Sequence, residues 1–208
     1  MGVSFQIIKY TGYSSAAVLG LAVLLGLFAL FKKQQDVVKS CTFVVILSAI
    51  PVTGLLMQAV KAKSLPFLHQ VSTDTVNPPP FQAIVALRGE GSNTLEYASE
   101  MLAPLQQAAY PEVQPIISEL NTEQAFTKAV EVAKGLGWEI VANSTEQGII
   151  EAVDMTLLWA FKDDVAIRIQ ETDTGSKIDS RSISRIGGTD LGANADRIKN
   201  YISRLSSH

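Results

Sequence analysis

WEIVANSTEQGIIEAVDMTLLWAFKDDVAIRIQETDTGSKIDSRSISR, residues 138–185, reads as strands in succession joined by polar turns. Trp138–Asn143 alternates apolar and polar residues, the STEQG segment (Ser144–Gly148) turns the chain, and Ile149–Thr156 runs back. Val165, Ile167 and Ile169 then alternate with Ala166, Arg168 and Gln170, and a turn at Thr172–Ser176 containing Gly175 leads into Lys177–Arg185. Links this short join antiparallel neighbours, so the pattern predicts a four-stranded antiparallel meander.

Helical periodicity flanks the meander on both sides. Asn121 with Gln124 three residues on has the spacing of a capping box, and Phe126, Ala129, Val130 and Ala133 then share one helical face. Gly135 and Gly137 end that helix. Beyond Gly187-Gly188, Leu191, Ala195, Ile198, Ile202 and Leu205 recur at spacings of four, three, four and three, which makes one continuous apolar stripe. The fold class is therefore α+β: helix, four-stranded antiparallel meander, helix, with both helices covering one face of the sheet. Upstream, Phe81–Leu87 reads as extended, Leu95–Ala109 as a helix interrupted by Pro104, and Val113–Ile117 as a short strand.

The N-terminal third is different. Tyr13–Phe31 and Cys41–Val60 are uncharged apolar runs, each long enough to cross a bilayer core of roughly 30 Å as a helix. With the polar segment Lys32–Ser40 between them they form a predicted transmembrane hairpin over residues 1–61 (spans about 13–31 and 41–60). An uncleaved second run so close behind the first argues against a signal peptide. Ala16 and Gly20 form a small-xxx-small pair of the kind that seats another helix, and Pro51 and Gly54 are candidate kink positions. Lys32, Lys33 and Lys39 lie in the loop; Lys9, Lys61 and Lys63 lie on the other side. The denser loop is assigned to the cytoplasm, which puts both termini outside. Residues 62–81, with Pro78, Pro79 and Pro80 in a row, read as a semi-rigid polyproline spacer, and residues 82–208 as the extramembrane domain.

Charge separates the same two parts. Residues 1–61 carry five Lys against one acid, Asp36, while residues 62–208 carry twelve basic and nineteen acidic side chains. An acidic domain argues against nucleic-acid binding, whose affinity comes mainly from Lys and Arg neutralising phosphates. Cys41 is the only cysteine, and His69 and His208 are the only histidines. That leaves no intrachain disulfide, no Cys-based metal site and no Ser-His or Cys-His pair inside the domain. No cofactor is expected.

Within the meander, Asp179, Arg181, Ile183 and Arg185 alternate to one face and Ile178, Ser180, Ser182 and Ser184 to the other. If the third strand aligns with them, Arg168, Asp179, Arg181 and Arg185 share the sheet face that the two helices leave open. Such a face is either solvated or a docking surface for an acidic partner or a lipid headgroup, since the planar Arg fork suits carboxylate and phosphate. Asp163-Asp164, preceded by Lys162, reads as a surface turn. Gly187-Gly188 lets a strand turn into a helix, and Asp190 complements that helix's dipole. Asn194, Arg197, Tyr201 and Arg204 form a polar stripe beside the apolar one, a candidate basic edge.

STDTVNPPPF (72–81), AYPEVQP (109–115), GWEIV (137–141), IEA (150–152), FKDDVAIRI (161–169) and DSRSISRIGGTDLGANADRI (179–198) resemble domain-of-unknown-function family 1499 over about residues 69–207. The resemblance implies a bacterial, envelope-associated protein and no assigned activity. The positions matching its motifs are Asp74, Pro79, Trp138, Asp164, Arg168, Asp179, Arg181, Ser182, Arg185, Asp190, Gly192, Asn194 and Arg197. The order of elements is also similar to helix-grip domains. Together these readings lead to an expectation of a non-catalytic protein of the bacterial inner membrane. Its periplasmic domain docks on a partner protein through Arg168, Asp179, Arg181, Arg185, Asp190, Asn194 and Arg197. A lipid- or small-ligand-binding module is the alternative, and an enzyme built on Asp164, Asp179 and Arg181 is the third reading.

Overall fold

The computed structural model describes residues 3–156 and 160–207, which fall into two compact units, Met1–Ser64 and Leu65–His208. In the first, α1 (Val3–Phe31) and α2 (Gln35–Ser64) form an antiparallel pair. Gly12 lies against Leu55 and Gly26 against Cys41, so small residues let the two helices approach. A Cβ added at Gly20 would meet nothing of the neighbouring helix within 4 Å. Both helices are long and apolar enough to be candidate membrane spans. The expected nine-residue loop is shorter. Lys33 adopts a left-handed conformation (φ 58°) at the turn, and Asp36 sits in the first turn of α2, where a carboxylate favours helix initiation.

In the second unit the meander forms as read: β3 (Glu139–Ser144), β4 (Ile149–Met155), β5 (Lys162–Thr172) and β6 (Gly175–Ser184), every pair antiparallel. Two short strands, β1 (Gln70–Ser72) and β2 (Ile116–Ser118), both pair with the outer edge of β6. Among the described residues the sheet thus has six strands, in the order β1-β6-β5-β4-β3, with β2 pairing β6 at residues 176–178, ahead of the stretch that pairs β1.

Helices α4 (Thr122–Gly135) and α5 (Ala193–Ser206) cover one face. The Asn121 side chain accepts a hydrogen bond from the Gln124 N–H, as its N-cap spacing implies. Phe126, Ala129 and Ala133 of α4 meet Ile150, Val165, Ile167 and Ile178 of the sheet. Each fully buried branched side chain contributes roughly 1.5–3 kcal/mol of transfer free energy. Trp138 stacks on Tyr201 with ring centroids 5.3 Å apart, and such pairs contribute about 0.5–1.5 kcal/mol beyond area.

Of the spacer expected over residues 62–81, residues 62–64 end α2 and residues 65–81 are part of the domain. Leu68 and Val71 are buried with Leu102, Ala195 and Ile198, and Val71 pairs with Ser182. Three prolines look like a spacer in isolation, but Pro79 is buried and its carbonyl accepts from Arg181. Phe81–Leu87, expected to be extended, contains a 3₁₀ turn at Ala83–Leu87. Helix α3 (Ser99–Ala109) includes Pro104 and flanks β1. There the Gln106 amide donates to the Ser72 carbonyl and accepts from its N–H, at 2.7 and 2.9 Å, so a side chain takes the place of a further strand.

Candidate functional site

Register brings the expected residues together. Arg168 lies opposite Asp179 and Ala166 opposite Arg181 across β5–β6, so Asp164, Arg168, Asp179, Arg181 and Ile183 share the face away from α4 and α5. That face is not open. The chain from Thr73 to Ala98 lies over it, and its charges bond to that covering segment.

Arg168 donates to Asp179 Oδ2 (2.8 Å), the Asn77 carbonyl (2.9 Å) and Asp74 Oδ2 (3.3 Å). Lys177 bridges the same two carboxylates at 3.2 and 3.3 Å. Burial favours the neutral acid at Asp74. The N–H groups of Asn77 and Val76 and the Lys177 ammonium together outweigh it, and the carboxyl is held below its ordinary range.

Arg181 is 4% exposed, and among the described residues no carboxylate pairs with it. Its guanidinium donates to Gln70 Oε1 (2.6 Å), the Pro79 carbonyl (3.3 Å) and the Leu95 carbonyl, leaving Nε without a partner. The Phe81 and Tyr97 rings lie 5.1 and 5.7 Å from it, in cation–π range. Burial pulls the Arg181 pKa down to about 10 and pushes the Tyr97 phenol up to about 12.

Further along this face, Asp164 is fully buried between Arg88 and Arg185. Arg185 reaches Asp164 Oδ1 through Nε and Nη2 at 2.9 and 2.7 Å. Glu151 of β4 accepts the N–H groups of Gln82, Ala83 and Ile84 at 2.9–3.0 Å, so a buried carboxylate caps the start of the 3₁₀ turn. A helix N-terminus directs unpaired N–H groups at such a group.

A second network lies on the opposite face, beneath α5. Arg197 donates to Asp163 Oδ2 (2.6 Å), Asp154 Oδ2 (2.7 Å), Asn194 Oδ1 (2.8 Å) and Ser182 Oγ (3.1 Å). Asn194 reaches the His69 carbonyl and Ser184 Oγ. Burial raises the Asp163 pKa against the opposing pull of Arg197. Asp190 accepts the Gly192 and Asn194 N–H groups at 2.8 Å each, so it serves the start of α5 as its position implied.

Three expectations change. The face carrying Arg168, Asp179, Arg181 and Arg185 is neither solvated nor available for docking, because residues 73–98 occupy it. Asp163-Asp164 is not a surface turn but the buried start of β5, pointing to opposite faces. The polar stripe of α5 is not a basic edge: Asn194, Arg197 and Tyr201 are buried, and only Arg204 of that stripe is exposed. The structure thus divides the expected residues into two groups. Arg168, Asp179, Arg181 and Arg185 lie under the covering segment, whereas Asn194 and Arg197 belong to α5 and Asp190 precedes it, bonded to its first N–H groups. Gln70, Arg88 and Glu151 belong equally to this interior and were not singled out from sequence. Glu151, in the apolar run IIEAV, was the one readable signal.

Clefts among the described residues include two beside these elements. One, of about 290 Å³, is bounded by Leu136, Trp138, Asp154, Asp196, Arg197 and Asn200. The other, of about 230 Å³, runs beside β2 between Ile116, Ile117, Leu120, Lys128, Ile178 and Leu205.

No curated protein matches the chain. The family model described as "Protein of unknown function (DUF1499)" matches residues 70–205, from the first residue of β1 to the last turn of α5. That span takes in both buried charge networks, and the positions that carry the sequence resemblance lie largely within them. The chain belongs to the DUF1499 family.

Proposed function

We propose that this is a non-catalytic, membrane-anchored protein of the bacterial cell envelope. In this reading its domain, on the periplasmic side of the inner membrane, docks on a partner protein as an accessory subunit. The observation that carries it is the outer edge of β2. Among the described residues β2 pairs only with β6, Ile117 is 66% exposed, and the cleft beside the strand is lined by Ile116, Leu120 and Leu205 together with Lys128 and Ser206. An unpaired edge next to a groove accepts an extended segment: main-chain hydrogen bonds supply affinity and the groove supplies specificity. A non-catalytic role is further supported by the commitment of Asp164, Asp179 and Arg181 to internal partners.

The test is purification of the full-length protein from its own membranes in mild detergent, with mass spectrometry of what stays bound. A stoichiometric partner that is lost on Ile117→Asp, with near-UV circular dichroism unchanged, supports docking at β2. A protein that emerges alone, or a partner indifferent to Ile117→Asp, overturns it.

The cleft floored by Trp138 favours a second reading, a small-ligand or lipid-binding module. Its apolar wall and the polar groups of Asp154, Arg197 and Asn200 resemble a ligand site in kind. Lipid or metabolite retained stoichiometrically in native mass spectrometry, and lost on Asn200→Trp, would support it over docking.

A further inference from the structure

Four exposed apolar side chains surround the turn that follows β6: Phe67 (73% exposed), Met155 (58%), Leu87 (53%) and Ile186 (42%). Backbone and side-chain contacts tie them to one corner. A Cβ at Gly188 would lie 2.5 Å from the Phe67 ring, so the ring rests on that turn. The Leu87 carbonyl accepts from Arg185 Nη1 at 3.1 Å, and the Arg185 N–H donates to the Lys162 carbonyl at 3.3 Å. Lys162 is the register partner of Met155 and is itself exposed. Clustered apolar side chains on a domain surface mark a contact with a membrane or a protein.

The covalent chain favours the membrane. The apolar run of α2 ends at Val60, and Lys61 and Lys63 occupy its last turn. Lysines at that position sit at the headgroup level of a spanning helix. The domain starts at once: Leu65 already packs with its core. Phe67 is three residues beyond Ser64, and three residues reach at most about 11 Å even when fully extended. The headgroup layer is itself roughly 5–8 Å deep on each side. Chain length alone therefore keeps Phe67 within reach of that layer. An apolar cluster held there gains by partitioning into the interface, and Lys162 beside it suits anionic headgroups.

We propose that the Phe67–Leu87–Met155–Ile186 corner inserts into the headgroup region of a phospholipid bilayer. The inference rests on the anchored reading above.

The test uses full-length protein carrying Cys41→Ser, reconstituted into phosphatidylcholine–phosphatidylglycerol vesicles. Single cysteines at Met155, Ile186, Glu146 or Ile50 carry a nitroxide. Collision with oxygen and with a water-soluble nickel chelate is read by electron paramagnetic resonance. Glu146 lies in the exposed β3–β4 turn at the other end of the sheet, and Ile50 lies mid-way along α2. The expected result is chelate collision several-fold lower, and oxygen collision higher, at 155 and 186 than at 146. Chelate access at 155 and 186 equal to that at 146, with position 50 shielded, leaves the anchor standing and overturns the inference. Free chelate access at position 50 overturns the anchored reading itself. Labels at 155 and 186 shielded from both reagents indicate a protein contact and overturn the bilayer as occupant.

Discussion

Asp163 and Asp164 are consecutive residues of β5 that point through opposite faces of the sheet, and each is clasped by arginine from a different covering layer. Asp163 holds Arg197 of α5 at 2.6 Å; Asp164 holds Arg185 at 2.7 Å and Arg88 of the covering segment. One strand therefore pins both layers. Alternation along a strand makes this possible, because neighbouring side chains leave the sheet in opposite directions. Buried ion pairs of this kind are weak evidence of added stability, but removing one partner is costly because the other is left charged and desolvated.

Arg197→Met, which strands Asp163 and Asp154, is expected to destabilise the domain by about 3–5 kcal/mol. Asp163→Leu combined with Arg197→Met should cost clearly less than the sum of the single changes. Chemical denaturation of the detergent-solubilised protein, followed by near-UV circular dichroism, measures the cycle. Additive losses would mean that the two residues are not coupled.

Arg181→Lys is expected to be nearly as disruptive as Arg181→Met. A lysine ammonium is a compact charge and does not span Gln70, Pro79 and Leu95 while lying against two rings. Each buried acceptor left unsatisfied costs about 1–3 kcal/mol. Hydrogen exchange over residues 79–97 should quicken in both variants. Wild-type protection in Arg181→Lys would show that charge alone holds the segment down.

Asp74 makes stability depend on pH. Its folded-state pKa lies below the ordinary value, so ionised Asp74 stabilises the fold above that ordinary value, and the contribution is lost as pH falls through the folded one. Asp74→Asn should therefore lower stability at neutral pH by about 1.5–3 kcal/mol, the range for hydrogen bonds to a charged group. The gap between wild type and variant should stay constant down to about pH 5 and close below about pH 4. Denaturation midpoints across pH 3–7 measure it, and a gap that widens on acidification would contradict the sign.

The meander, its two flanking helices, the Asn121 cap, the candidate spans and the alignment of Arg168 with Asp179 were all legible in the amino-acid order. Each depends on a period of two or 3.6 residues, a turn of a few residues, or a run of apolar side chains, all local properties. What covers the second face was not legible. Residues 65–98 show no strong period, and three prolines imitate a spacer. They become part of the domain only because Gln70–Ser72 pairs with β6 and Glu151, Asp164 and Arg181 hold the chain that follows. Those partners lie tens of residues away in sequence. The sequence by itself determined which side chains lie together on the sheet. Only the tertiary structure decided that they face inward, because burial of a charge depends on long-range partners that no local pattern specifies.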